Sequence, residues 1–264
     1  METNNSFSFQ RLMLLGKQSF VINKKLIGIS LGGFSGILFL ILWGNQSGKN
    51  FSNWQNGDYL GTFASLFFVL GIIYASLSFP AFRSKEKSMA YLMLPASASE
   101  KFLFEFVNRI ILFIFLMPLL FWVIANLEGS VVHYFVPELK NYTFSFGQAF
   151  SEISKQPEFN TWAKLAILQG CLFVFISSFT GASYFSKSPL LKTMFTLSFI
   201  VAAYTMLTLL LFKGLNIREF RPVNDRVLFI YGKNCAIVAL AIGITVINLC
   251  FLAIAWFRLK EKEA

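Results

Sequence analysis

Six stretches of the chain are apolar for long enough to cross a bilayer, and the polar residues gather in blocks between them. They run at about 26–43, 59–80, 110–127, 165–185, 193–212 and 234–257. Each is continuously apolar, whereas a barrel strand alternates over about ten residues. Hydrocarbon offers no partner to a bare backbone N–H or C=O, so each run is predicted to be a helix. The expected fold is an all-α integral membrane protein, six transmembrane helices in a single transmembrane domain over residues 1–264.

The pattern differs where it leaves the spans. In 1–25, Phe9, Leu12, Met13, Phe20 and Ile22 recur at mostly helical spacing, with Arg11, Lys17 and Gln18 between them. This predicts an amphipathic helix lying in the membrane interface before the chain turns into the first span. Between the second and third spans, 81–109 opens with Arg83, Lys85, Glu86 and Lys87, continues through the apolar run Met89–Leu94, and is interrupted at Pro95. Ser97 and Glu100 then have the S-x-x-E spacing of a capping box, which starts a new helix running into the third span. Two short helices meeting at Pro95 leave Met89, Tyr91, Leu92 and Met93 as an apolar ridge that needs a cover. The longest connection, 128–164, is aromatic. A short helix is predicted near Ser145–Lys155, with Phe146, Phe150 and Ile153 on one side, lying on the membrane or capping the bundle.

Composition agrees. Of 264 residues, 56% are hydrophobic and 14% charged, against about 25% charged in an ordinary soluble chain. One soluble core of this size cannot hide that much apolar surface. Cys171, Cys235 and Cys250 form no C-x-x-C pair, and the lone His133 has no ligand-spaced companions. No metal or other cofactor is implied. The net charge of +10 reads as basic flanks facing anionic lipid, with no folded polar module to suggest nucleic acid. With both termini cytoplasmic, most of the 23 Lys and Arg fall inside, which favours N-in/C-in. Lys213, Arg218, Arg221, Arg226 and Lys233 in the loop 213–233 argue the other way.

The six span cores hold no Asp, Glu, Lys, Arg or His. A proton- or sodium-coupled carrier needs such a group near the midplane, and an intramembrane protease needs a nucleophile and base, paired carboxylates or a metal motif. None is present, so the chain is expected not to be an enzyme and not to harvest an ion gradient. The string from Gly44 to Asn50 is one residue short of a phosphate-binding loop and lacks the following Ser or Thr. In the first span, Gly28, Gly32 and Gly36 form a small-residue stripe suited to close helix packing, within one subunit or along a seam between two.

The stretch YLMLPASASEKFLFEFVNR, Tyr91–Arg109, resembles the LPAS-x-x-EKF segment of permease-like proteins from Bacteroidetes-type bacteria. With six spans, it makes the chain similar to the permease subunit of an ABC-2 type exporter. The resemblance implies a multi-pass protein of the bacterial inner membrane. It implies two partners besides the lipid bilayer: a separate ATP-binding subunit, and a second permease subunit, the same chain or a related one. The ATPase would dock on the coupling region between spans two and three. On this sequence that region would be Arg83–Lys101, Lys101 included, with Arg83, Lys85, Glu86 and Lys87 as polar contacts. Met89, Tyr91 and Leu92 would form its apolar wedge, and Pro95, Ser97 and Glu100 would set its turn. The competing expectation is a non-transporting membrane scaffold or assembly factor that holds a cytoplasmic partner on the same ridge.

Overall fold

The computed structural model describes residues 7–48, 56–83, 89, 91, 96–135, 143–154, 161–214, 226–227, 230–231 and 233–263. Seven helices account for nearly all of it. They are α1 (Phe9–Gly48), α2 (Asn56–Ser76), α3 (Ala98–Phe135), α4 (Phe146–Ser154), α5 (Thr161–Tyr184), α6 (Pro189–Gly214) and α7 (Lys233–Glu263). A two-rung antiparallel ladder joins Arg226–Val227 to Ile230–Tyr231 just before α7. All the helices except α4 are long and apolar enough to cross a membrane, the architecture of a multi-pass protein. Their large apolar side chains are widely uncovered by protein, as at Ile29, Phe115 and Phe195, each about three-quarters exposed. In water such surfaces would drive aggregation, while in a bilayer they meet acyl chains.

Two helices depart from the sequence expectation. The N-terminal segment and the first span are one unbroken helix of 40 residues, with no turn near residue 25. At 1.5 Å per residue α1 is about 60 Å long, twice the hydrocarbon thickness. The third span also outruns its hydropathy. It begins at Ala98 and continues through Pro118 to Phe135, so 128–135 is helix rather than the start of a loop. Glu128, Ser130 and His133 lower hydropathy without breaking a helix, and Ser130 Oγ folds back onto Asn126 O at 2.8 Å. In the loop that follows, α4 covers Phe146–Ser154, within the stretch predicted to be a short helix.

The helices pack as two compact units, where the sequence offered no boundary. Unit 1 comprises residues 1–71 and 95–157 and unit 2 residues 72–94 and 158–264, so the chain crosses between them three times, first within α2, then after residue 94 and again after residue 157. In unit 1, α1 buries Leu38, Leu42 and Gln46, one residue every four along a single stripe. The facing stripe of α3 runs through Lys101, Glu105, Ile110, Met117, Phe121, Ile124 and Glu128. Its step from Glu105 to Ile110 is five residues because the helix makes a π turn at Val107–Ile111. The extra residue keeps the two halves of the stripe on the same face. Tyr59 and Phe63 of α2 complete the core, and Phe144 and Ala149 close one end of it.

Unit 2 is built around α5. Its last turns, from Phe175 to Ser183, are buried on every side, and small residues make that possible. A Cβ added at Gly181 would fall inside the Thr193 side chain of α6. Thr180 Oγ1 donates to Phe251 O of α7 at 3.0 Å, and Asn248 Nδ2 of α7 donates to Gln169 O and Oε1 of α5 at 3.2 Å. Membrane helices have little hydrophobic force between them, so close approach and hydrogen bonds of this kind hold them together.

Candidate functional site

The segment after α2 begins with a sharp change of direction. Phe79 adopts a left-handed backbone, φ 52°, which costs a non-glycine residue about 1–2 kcal/mol. Its buried ring offsets that cost. It stacks on Phe82 at 5.6 Å between centroids and packs against Phe179 of α5 at 5.1 Å. A 3-10 turn, Pro80–Arg83, follows. Arg83 Nη2 donates to Ser76 O at 3.3 Å, and the Tyr91 ring lies edge-on to Phe82 at 5.8 Å. Lys262 of α7 closes over the same place. Its Nζ stands 3.9 Å from the Phe82 ring centre and donates to Ser183 O at 3.1 Å. Met89 is well exposed. Lys85, Glu86, Lys87, Leu92 and Pro95 lie outside the described residues.

The other end of the segment is fastened to unit 1. The capping box expected from the S-x-x-E spacing is present at the start of α3. Ser97 N donates to Glu100 Oε2 at 2.9 Å, and Glu100 N donates to Ser97 Oγ at 3.4 Å. The sequence did not foretell the second duty of Glu100. Its Oε1 accepts from Ser8 N at 2.6 Å and pairs with Arg11 Nη2 at 3.3 Å. The carboxylate is fully buried, yet three backbone or guanidinium donors meet it, and it lies in the first turn of a helix where the dipole favours negative charge. It thereby joins the starts of α1 and α3. Lys101 is buried as well. One turn on, Arg109 Nε lies 3.6 Å from Glu105 Oε2.

Gly28, Gly32 and Gly36 sit on an open face of α1, where an added Cβ would meet no described atom within 4 Å. The stripe is therefore not used for packing among the described helices.

A second polar centre lies at the opposite end of unit 1, and the sequence reading missed it. Glu128 of α3 is fully buried. Its Oε2 accepts from Gln46 Nε2 of α1 at 2.9 Å and from Tyr59 Oη of α2 at 3.1 Å. Gln46 Nε2 also donates to Tyr59 Oη at 2.5 Å. Glu128 Oε1 has no hydrogen-bond partner among the described residues. This carboxyl lies one residue beyond the third span as hydropathy bounds it (110–127), so that core still carries no ionisable group, but the helix itself continues past it. The signal that finds it is stripe continuity. Gln46 follows Leu42 by four, Glu128 follows Ile124 by four, and Tyr59 precedes Phe63 by four. All three extend apolar stripes by one turn and so stay buried.

From Glu100 to Glu128 the helix rises by about 42 Å, and the charge-free stretch 110–127 between Arg109 and Glu128 spans about 27 Å. That matches a hydrocarbon core of about 30 Å, so the two carboxyls lie beyond opposite ends of a stretch of spanning length. Among the described residues no group of three His, Cys, Asp or Glu side chains is placed to hold a metal ion. Compared with known proteins, the chain matches no family model, no curated protein and no solved structure.

Proposed function

We propose that the chain is the membrane-spanning permease subunit of an ATP-driven exporter of the ABC-2 type, in the bacterial inner membrane with both termini cytoplasmic. A separate ATP-binding subunit docks on the segment 83–101, and a second permease subunit completes the pathway. The observation that carries this reading is the double anchorage of that segment. Phe79, Phe82 and Tyr91 tie its start into unit 2, while Ser97 and Glu100 tie its end into unit 1. A partner that displaces the segment therefore pulls on both units of the bundle. The exposed Met89 supplies apolar contact, and the basic run before it supplies charge. ATP closes the partner dimer, and the bundle follows by a shift between two packings. Reversing a 1:99 population takes about 5.5 kcal/mol of differential binding, which a nucleotide-driven partner supplies and this chain alone does not.

Purification of the full chain from its own membrane is expected to bring down a nucleotide-binding ATPase. Lys85→Glu with Lys87→Glu, or Leu92→Asp, is expected to release it. Full retention of the ATPase by these variants overturns the docking assignment, as does cysteine labelling that finds 83–101 on the outer face. A partner held with no response to ATP favours the scaffold reading.

A further inference from the structure

The carboxyl of Glu128 has an arrangement that suits a neutral acid and not a carboxylate. Its side chain has no exposure. No described Lys, Arg or His forms an ion pair with it, whereas Glu100 pairs with Arg11, Glu105 with Arg109 and Glu261 with Arg258. The donors are unevenly shared. Oε2 receives two hydrogen bonds, which fill the lone pairs of a carbonyl oxygen, and Oε1 receives none among the described residues. A charge left on a bare, buried oxygen is far costlier than an unpaired hydroxyl. The neighbouring groups fit the same assignment. Both N–H bonds of the Gln46 amide are used, one on Tyr59 Oη and one on Glu128 Oε2, and the Tyr59 hydroxyl accepts the first while donating to Oε2.

The end of unit 1 that holds this carboxyl is closed by Phe144 and α4, and the cap is fastened by neighbours of the carboxyl. Phe144 packs on the Tyr59 ring at 5.4 Å and on Phe121 at 5.5 Å. The backbone around it is held by two side chains. Asn126 Nδ2, two residues before Glu128, donates to Phe144 O at 3.2 Å. Asn56, three residues before Tyr59, accepts from Ser145 N at 3.5 Å and donates to Gln148 Oε1 of α4 at 3.2 Å. Displacing the carboxyl thus disturbs the helix turns that hold the cap.

We propose that Glu128 is a proton-binding site: the closed unit 1 holds it as the neutral acid with the proton on Oε1, and loss of that proton opens the cap formed by Phe144 and α4. The proton leaves to solvent, and the carboxylate that remains needs water, which only an opened cap admits. Tyr59 is the titratable group in contact with Glu128, from α2. The side chain that meets it from α1 is Gln46, which does not titrate. The nearest titratable groups in sequence are Asp58 on α2 and His133 on α3. The inference concerns the opposite end of unit 1 from the docking segment and holds whether or not an ATPase drives the chain.

Infrared spectra and deuterium uptake of the full chain in lipid nanodiscs test it. In neutral buffer the wild type is expected to show a protonated-carboxyl carbonyl band that Glu128→Gln lacks and that Glu261→Gln, at an exposed position, retains. As pH rises, deuterium uptake over 143–154, corrected for the intrinsic exchange rate, is expected to rise severalfold in the wild type and to stay flat in Glu128→Gln. Spectra that do not differ between wild type and Glu128→Gln overturn the protonation, and an equal pH response in both overturns the link to the cap. Should Glu128→Gln fail to fold, Tyr59→Phe replaces it. Removing one donor from Oε2 is expected to raise the frequency of the band, and a band that does not move belongs to another residue.

Discussion

Glu100 and Glu128 lie on one helix, are both fully buried, and solve the same problem in opposite ways. At Glu100 both oxygens are met. Oε2 caps the helix start, Oε1 takes the Ser8 amide, and the Arg11 guanidinium supplies a countercharge. At Glu128 one oxygen takes two neutral donors and the other is bare. The first arrangement makes a fixed joint between α1 and α3, because every atom of the carboxylate is committed. The second keeps one atom uncommitted among the described residues, at the end of unit 1 that Phe144 and α4 close. A buried carboxyl is a structural rivet or a responsive group according to the donors around it, not to its depth.

Substitutions sharpen the contrast. Glu100→Leu is expected to cost the most, about 3 kcal/mol by chaotrope unfolding in micelles. It strands the Ser8 and Ser97 amides and unpairs Arg11, which at 31% side-chain exposure recovers part of the loss in water. A loss below about 1 kcal/mol would mean the joint is ornamental. Tyr59→Phe comes next at about 1.5 kcal/mol, since Gln46 and Glu128 each lose a buried partner. Ser97→Ala is expected to cost about 1 kcal/mol, the ordinary worth of a helix N-cap, and to leave the Arg11 pair intact. Glu128→Gln should be smallest, below about 0.5 kcal/mol. An amide keeps an accepting oxygen for Gln46 and Tyr59 and places an N–H where the acid has its O–H. A loss of 2 kcal/mol or more at this position would show that the negative charge itself is needed there, and the comparison would collapse.

The parts of this picture that sequence could reveal are those with a local cause. Span number follows from runs of hydropathy, and the helix start at Ser97 follows from two residues three apart. Glu100 was visible as a cap for that reason. Its pairing with Arg11 was not, because it joins positions 89 residues apart through the packing of α1 on α3. Glu128 was hidden by averaging. Hydropathy windows record how apolar a stretch is, whereas burial follows which face a residue occupies, and a single polar residue on a buried stripe hardly changes the average. The absence of a turn near residue 25 was unreadable for a related reason. Lys24 and Lys25 lower the hydropathy there without containing anything that ends a helix. The two-unit packing depends on contacts such as Gly181 with Thr193, for which a glycine in a list of membrane residues gives no warning.

The π turn at Val107–Ile111 has a consequence for how this chain tolerates change in length. A wound rod converts a lost residue into rotation of about 100°, but the π turn already holds one residue more than an α turn. A deletion inside it lets the turn relax to ordinary α geometry, and Glu128 keeps facing Gln46 and Tyr59. A deletion between Leu112 and Ala125 finds no such slack: it swings Glu128 toward acyl chains while shortening the helix by less than a tenth. The bulge is a slack joint that absorbs a one-residue edit.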